Sequence, residues 1–411
     1  MKALDAYNPR VVIIPDLPHA GVEMDLVGVD EIGKKLMMPK AVHRVAKVEG
    51  LTPKAANVLK QEMLARGGDA AVAHGTADWS VGTTDVLLMG TLRQYQHLVK
   101  KLKIQPFGLA RLAAELEALL DHWENAAGPR RLSCRSHTLE FGSRTLVMGV
   151  LNVTPDSFFD GGRYSHVEAA VVRARQIVSE GADIVDVGGE STRPGSEPVT
   201  AQEEMDRVLP VIERLVEELS VPLSIDTCKA SVAMEALRLG AHMVNDVGGL
   251  QFDPEMAAVV ATHQVPVVIM HGLAEHRGRD WPEYSSVMSA LCRFFRESID
   301  RAIQARIPEE LVIVDPGIGF GKKLPYNLEI IARLRELKSL GRPILLGTSR
   351  KSLIGQVLDL PVGERLEGTA ATVALGIANG ADIVRVHDVR EMVRVARMTD
   401  AIVRCNPAKP D

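Results

Sequence analysis

From residue 145 onward the chain repeats one pattern eight times: a short apolar run closing on a polar residue, then a longer stretch with helical spacing. The runs are "TLVMGVLN" (145–152), "ADIVDVGG" (182–189), "PLSIDT" (222–227), "AHMVNDVGG" (241–249), "VPVVIMHG" (265–272), "LVIVDPG" (311–317), "PILLGTSR" (343–350) and "ADIVRVHD" (381–388). Helical stretches such as 166–180, 201–218 and 363–379 follow them. This is the rhythm of strand–helix units. Eight units over roughly 250 residues match a closed (β/α)8 barrel. An open doubly wound sheet is the alternative, but it has no reason to stop at eight.

The ends of the runs carry the chemistry. Asn152, Asp186, Asp226, Asn245 and Asp315 close strands, Lys351 stands just beyond the seventh, and Arg385 and His387 lie on the eighth. One such residue is ordinarily a strand-end cap or turn former. In a barrel, however, all eight ends converge on one face, where active sites form. Arg385 and His387 are two apart and so share a side of their strand, while Val384 and Val386 take the other.

The first 130 residues read as a smaller α/β domain. "RVVIIP" (10–15) and "TDVLLMG" (84–90) have strand character. Thr52–Pro53 starts a helix over 53–66 that Gly67–Gly68 stops, and helices over 91–103 and 107–124 follow. "NAAGPRR" (125–131) is the expected linker, and residues 132–144 have the pattern of a hairpin able to close the barrel bottom. The fold class is thus a (β/α)8 barrel over 132–405, preceded by an accessory α/β domain over 1–130 of unknown role.

Composition narrows the function classes. A chain of 411 residues, 46% hydrophobic and 25% charged, has an ordinary soluble make-up with a large core. Its net charge of −5 gives no electrostatic reason to expect nucleic acid. Cys134, Cys228, Cys292 and Cys405 show no CxxC spacing, which argues against a zinc site and a disulfide scaffold. No apolar run is long enough to span a bilayer and "MKALDAYNPR" has no signal-peptide core, so the expectation is a cytoplasmic protein without a membrane partner.

Several motifs have plainer readings. "DPGIGFGKK" (315–323) is no Walker A, because Lys323 stands where Ser or Thr is needed; it reads as a strand-end loop with Phe320 between glycines. His271 in "MHG" has no partner at metal-ligand spacing and reads as structural. "GGESTRPGSEPV" (188–199) presents Thr192 and Arg193, and a mere turn would not need the arginine. Asp226, Asn245 and Asp315 can hydrogen-bond a flat, nitrogen-rich heterocycle, since a carboxylate accepts from paired N–H groups. Arg385, His387 and Asn152 can grip an anion such as pyrophosphate. No arrangement for covalent catalysis is evident.

"NVTPDSF", "GGESTRPG", "SIDT", "NDVGG", "DPGIGFGK", "GTSRKS" and "RVHD" occur in the order found in the dihydropteroate synthase family, which the chain resembles over about residues 132–404. The resemblance implies a TIM barrel that joins 6-hydroxymethyl-7,8-dihydropterin pyrophosphate to p-aminobenzoate, releases pyrophosphate, uses Mg2+, forms a homodimer and is blocked by sulfonamides. It implies that Asp226, Asn245 and Asp315 bind the pterin edge, with Val247 and Met270 lining the pocket. Lys351 would reach the pterin, and Arg385 would stack on it and face the pyrophosphate. Asn152 and His387 would hold pyrophosphate and magnesium, with Asn152 the metal ligand. Phe158, Pro194, Phe320 and Ser352 would surround p-aminobenzoate, and Asp160, Thr192 and Arg193 would lie on two loops that close over it. Phe159 departs from the family, which more often has a small residue there, and so does the region after His271.

The expected mechanism is loss of pyrophosphate from the pterin methylene, with the cation stabilised by the ring. The protein neutralises the departing charge and holds a neutral aromatic amine in line. Two alternatives are a methyltetrahydrofolate:corrinoid methyltransferase, which has no use for a pyrophosphate grip, and a non-catalytic pterin-binding protein.

Overall fold

The structure is a computed structural model, and it describes residues 7–126, 128, 130–154, 163–190, 199–272 and 283–404. The chain divides into two compact units, the second of which is Ala126–Cys405. Among the described residues no helix is long and apolar enough to cross a membrane.

The first unit runs α1 (Leu17–Val27), α2 (Glu31–Ala41), β1 (His43–Leu51), α3 (Pro53–Leu64), β2 (Asp69–Val72), β3 (Thr84–Thr91), α4 (Leu92–Leu102) and α5 (Leu109–Glu124). Its strands form an antiparallel sheet in the order β1–β3–β2. Along β3, Thr84, Val86 and Leu88 are buried and alternate with Asp85 and Leu87, the period of a strand with one covered face. Leu59 and Met63 of α3, Tyr95 and Leu98 of α4 and Leu116 of α5 share the core that includes Val86 and Leu88. Local chemistry fixes the helix starts. Thr52 accepts from Ala55 N with Pro53 in the first turn, and Thr91 and Gln94 form a capping box.

One expected strand is absent. Residues 10–15 pair with no strand among the described residues, and Val11 and Ile13 are 94% and 85% exposed. Pro9 and Pro15 bracket the run, and each lacks the N–H that a ladder requires. The strands that do flank β3, β1 and β2, are edge strands with mixed sequences such as "HRVAKVEGL".

The second unit opens with a hairpin, β4 (Arg130–Cys134) and β5 (His137–Phe141), paired antiparallel. The strands that follow are β6 (Leu146–Asn152), β7 (Ile184–Gly188), β8 (Leu223–Asp226), β9 (Met243–Asp246), β10 (Val267–Met270), β11 (Val312–Asp315), β12 (Leu345–Leu346) and β13 (Ile383–Val386). They are parallel, in the order β11–β10–β9–β8–β7–β6–β13–β12, and a bridge from Val314 to Ile344 closes the ring. Between them lie α6 (Arg163–Ser179), α7 (Ala201–Glu218), α8 (Ala230–Leu239), α9 (Met256–His263), α10 (Val287–Gln304) and α11 (Leu324–Ala332). α12 (Ser352–Leu358) and α13 (Leu366–Ala378) precede β13, and α14 (Val389–Val403) follows it. The strands are buried along their length because side chains fill the interior while helices cover the outside, so their sequences are almost continuously apolar.

Two features frame the barrel. The hairpin buries Leu132, Cys134, Leu139 and Phe141 in the barrel core. Cys134 Sγ donates to His242 O at 3.3 Å, ahead of β9, and Arg130 Nη1 donates to Gly341 O at 3.2 Å, ahead of β12. Both partners precede their strands, so the hairpin closes the N-terminal end as the sequence suggests. β12 is only two residues long. Beside it the Asp382 carboxylate accepts Ile344 N at 2.7 Å and Lys338 Nζ at 2.5 Å, so a side chain substitutes for missing ladder bonds.

Candidate active site

The polar strand ends meet at the C-terminal face. Register places Asp226 opposite Asn245 on β9, and Met270 opposite Asp315. β13 delivers Arg385 beside Met148 of β6. The guanidinium ties these strands together: Nε donates to Asp186 Oδ2 at 2.6 Å and Nη2 to Asp226 Oδ2 at 2.6 Å. Asn245 Nδ2 donates to the same Asp186 oxygen at 3.0 Å. Four side chains from four strands thus form one floor.

The electrostatics follow from bringing these charges out of water. Burial pushes the Asp226 carboxyl up to about 7; Arg385 opposes the shift and the Asp186 carboxylate adds to it. Burial also raises Asp315, against the pull of Lys351 and the Gly317 N–H. The Lys351 ammonium goes the other way, lowered by burial to about 8 while Asp315 resists. Burial disfavours the Arg385 charge too, but Asp186 and Asp226 more than compensate and the group stays ionised.

A rigid loop after β11 forms one wall. Asp315 Oδ1 accepts Gly317 N at 2.8 Å, and Asn327 Oδ1 accepts Gly319 N at 2.9 Å. Gly317 sits at φ +66°, and a Cβ there would stand 2.3 Å from His271 O, so only glycine fits. Lys322 clamps the turn: its buried Nζ donates to His271 O, Gly317 O and Phe320 O, each at 2.9 Å. Burial lowers this ammonium to about 7. The loop carries Phe320, whose ring lies 4.6 Å from Lys351 Nζ. Lys351 Nζ also donates to Ile318 O at 2.5 Å. His271 is buried edge-on to Phe294 and pushed down to about 3 by burial and by Lys322, which agrees with a structural, neutral imidazole.

The remaining groups are held from behind. Arg350 adopts a left-handed φ of 56°, and the strain is met by two bonds to Asp388 at 2.8 and 2.7 Å and by Thr369 Oγ1 accepting Arg350 N at 3.0 Å. That kink puts Lys351 at the N-cap of α12, with exposed Ser352 beginning the helix. Ser349 Oγ accepts His387 N at 3.2 Å and lies 3.0 Å from His387 Nδ1. Asp246 accepts Gly248 N and Leu250 N at 2.7 and 2.6 Å, which fixes the turn bearing Val247. Asn152 ends β6, in register with Gly188.

The structure therefore brings Asp226, Asn245, Asp315, Lys351, Phe320 and Arg385 into one neighbourhood, and sets Asn152 and Met270 on strand ends, Val247 and His387 just beyond them and Ser352 at the start of α12. Phe158, Asp160, Thr192, Arg193 and Pro194 lie outside the described residues. Sequence reasoning gave no role to Asp186, Ser349 or Lys322. Asp186 was visible as a polar strand end; a lysine after a glycine-rich turn gives no sign that it is buried.

A polar floor at the mouth of an eight-stranded barrel, with acceptors and cations from separate strands, has the groups that a flat heterocycle bearing an anion requires. The family of pterin-binding enzymes matches residues 148–387, and the chain belongs to it. The dihydropteroate synthase of Bacillus subtilis is 51% identical over 265 residues, covering 64% of this chain and 91% of that protein. The crystal structure of a Clostridium difficile dihydropteroate synthase in the presence of pteroic acid aligns with a TM-score of 0.62 at 52% identity, over 64% of this chain and 99% of that one. A probable bifunctional folylpolyglutamate synthase/dihydropteroate synthase of Halobacterium salinarum is 44% identical over 366 residues, 89% of this chain and 43% of that protein. Those matched residues outnumber Ala126–Cys405, so that relative also shares part of the first unit.

Proposed function

We infer that the chain is a dihydropteroate synthase, joining 6-hydroxymethyl-7,8-dihydropterin pyrophosphate to p-aminobenzoate with release of pyrophosphate. The observation that carries this reading is the floor in which Arg385 bridges Asp186 and Asp226 while Asn245 joins them. Its carboxylates can accept the paired N–H groups of a pterin, and its cations balance a diphosphate. Asp226, Asn245 and Asp315 take the pterin edge, Met270 and Val247 line its pocket, and Lys351 reaches the ring. Arg385 and His387 face the departing pyrophosphate, and Phe320 and Ser352 border p-aminobenzoate.

Catalysis on this reading is positioning and charge neutralisation. As the pterin methylene loses pyrophosphate, Arg385 lies against the developing anion, and the wall carrying Phe320 holds the amine on the opposite side. The amine is neutral at physiological pH, so no strong base is required. Among the described residues no group of three or more His, Cys, Asp or Glu could hold a metal ion. Asn152, at the end of β6, would hold Mg2+ through its side-chain oxygen, a hard donor of the kind this cation takes. When bound, Mg2+ would supply positive charge to the leaving group.

A homodimer is part of the proposal, supported by exposed apolar side chains on the last helices: Val357 and Leu358 of α12, Leu375 of α13, and Met398 and Ile402 of α14. A cytoplasmic location follows from a charged pyrophosphate substrate that does not cross bilayers unaided. Sulfonamides, as p-aminobenzoate mimics, are expected to compete at the Phe320 wall. The deciding experiment mixes the protein with both substrates and Mg2+ and follows pyrophosphate release. Release that requires p-aminobenzoate supports the reading, and its absence overturns it.

A further inference from the structure

Two carboxylates share the Arg385 guanidinium, and they are not equivalent. The Asp186 side chain is 0% exposed, whereas Asp226 keeps 12%. Asp186 Oδ2 takes both Arg385 Nε and Asn245 Nδ2, and its buried Oδ1 has no partner among the described residues. Asp226 Oδ2 takes Arg385 Nη2. A heterocycle that needs both oxygens of Asp226 must share or displace that last contact. It makes no such demand on Asp186, which lies mid-strand in β7, beneath the strand ends.

We propose that Asp186 is a positioning residue for the synthase reaction: it grips Arg385 by Nε and Asn245 by Nδ2, so that the other arm of the guanidinium can pass from Asp226 to substrate without Arg385 leaving the floor. The proposal rests on the reading of Asp226 as the pterin-edge acceptor and Arg385 as a substrate ligand. Guanidinium geometry makes the division of labour possible. Nε and one terminal nitrogen lie along one edge of a rigid plane, so one end can stay fixed while the other changes partner. A charged anchor matters because Arg385 is drawn to whatever negative charge is nearest. With Asp186 ionised, that attraction is divided between two carboxylates. With Asp186 neutral, all of it falls on Asp226, the group the pterin needs. An asparagine at this position would in addition bring an NH2 donor close to the N–H donors of Arg385 and Asn245.

This reasoning predicts a dependence on Arg385 that packing alone would not produce. Asp186→Asn should weaken pterin binding when Arg385 is present, because the Arg385–Asp226 pair tightens. When Arg385 is replaced by methionine no such pair exists, and Asp186→Asn acts only through its contact with Asn245 and through weaker repulsion of Asp226, two effects that oppose each other.

The test uses four full-length proteins: wild type, Asp186→Asn, Arg385→Met and the double variant. Binding of 6-hydroxymethylpterin is measured by calorimetry and pyrophosphate release by assay. The expected result is a loss of affinity of about tenfold for Asp186→Asn in the wild-type background, about 1.4 kcal/mol. In the Arg385→Met background the same substitution should cost far less affinity, or none. Equal losses in both backgrounds would mean that Asp186 acts on the pocket generally, and would overturn the proposal. A second readout survives if Asp186→Asn does not fold. The 15Nε–H resonance of Arg385 in the wild type, assigned by its disappearance in Arg385→Met, should stay protected from exchange when pterin is added. Exposure of that proton on binding would equally refute the anchor. If the wild type releases no pyrophosphate, the functional reading fails; if it is active but the cycle is additive, only the role of Asp186 does.

Discussion

Replacing Lys322 by methionine keeps the unbranched stem, one atom shorter, and removes one buried ammonium with its three bonds to His271 O, Gly317 O and Phe320 O. Two effects oppose each other. Hydrogen bonds from a charged donor contribute about 1.5–3 kcal/mol apiece, while releasing an ion from a dry interior recovers several kcal/mol. What remains is the desolvation of carbonyls left without a donor, about 1–3 kcal/mol for one such group. The bonds of Asn327 and Asp315 to Gly319 N and Gly317 N stay in place, so the turn should shift rather than melt. For a unit of this size, each kcal/mol lowers Tm by about 2–4 °C. The sharper expectation is functional. Phe320 loses the carbonyl tether that aims it, so KM for p-aminobenzoate should rise about tenfold, or about 1.4 kcal/mol. Pterin affinity, assigned in the proposed function to Asp226 and Asn245, should change far less. Thermal unfolding, calorimetry with pterin, and rates over a range of p-aminobenzoate measure all three. A folded Lys322→Met protein with unaltered KM for p-aminobenzoate would refute the reasoning.

Pterin affinity should peak between about pH 7 and 8, because Asp226 ionises only above about 7 and Lys351 loses its charge above about 8; calorimetry across pH checks this, and Asp226→Asn should remove the acid limb. For folding, Asp226 acts in the opposite sense: protonated below about 7 in the native chain but only below 3.8 when unfolded, it gives up stability as pH climbs between those values. A chain beginning at Ala126 keeps Arg130 and its bond to Gly341, so it should fold and retain synthase activity; a soluble, folded but inactive product would show that the first unit contributes to catalysis.

The barrel was legible because strands buried on both faces need nearly unbroken apolar runs, and eight such runs leave little choice. The first unit was harder. β1 and β2 are edge strands whose exposed face accepts charge, so "HRVAKVEGL" carries no clean alternation. Residues 10–15 had strand composition but no partner, and pairing is a property of the fold, not of the run. In the site, Asp226, Asn245, Asp315 and Arg385 stood out as polar ends of apolar strands. Depth did not: the sequence makes Asp186 and Asp226 look alike, although one is sealed and the other reaches the mouth. Lys322 was hidden because three backbone carbonyls solvate it, and backbone acceptors leave no mark in a pattern of side chains.

The short β12 bears on how the molecule comes apart. A closed ring of strands has no free edge from which to fray, so it must part at its thinnest joint. That joint is the Val314–Ile344 bridge between β11 and β12, held by Val314 N donating to Pro343 O, while Asp382 ties Ile344 to β13 on the other side. Asp315 ends the strand on one side of it, and Lys351 follows the strand on the other. When the joint yields, these two are the first of the floor residues to separate, while the remaining strands are still paired and the helices still packed on them. Loss of the pterin site would therefore precede loss of secondary structure on heating, and the temperature at which the enzyme stops working would report the strength of one seam rather than the stability of the whole barrel.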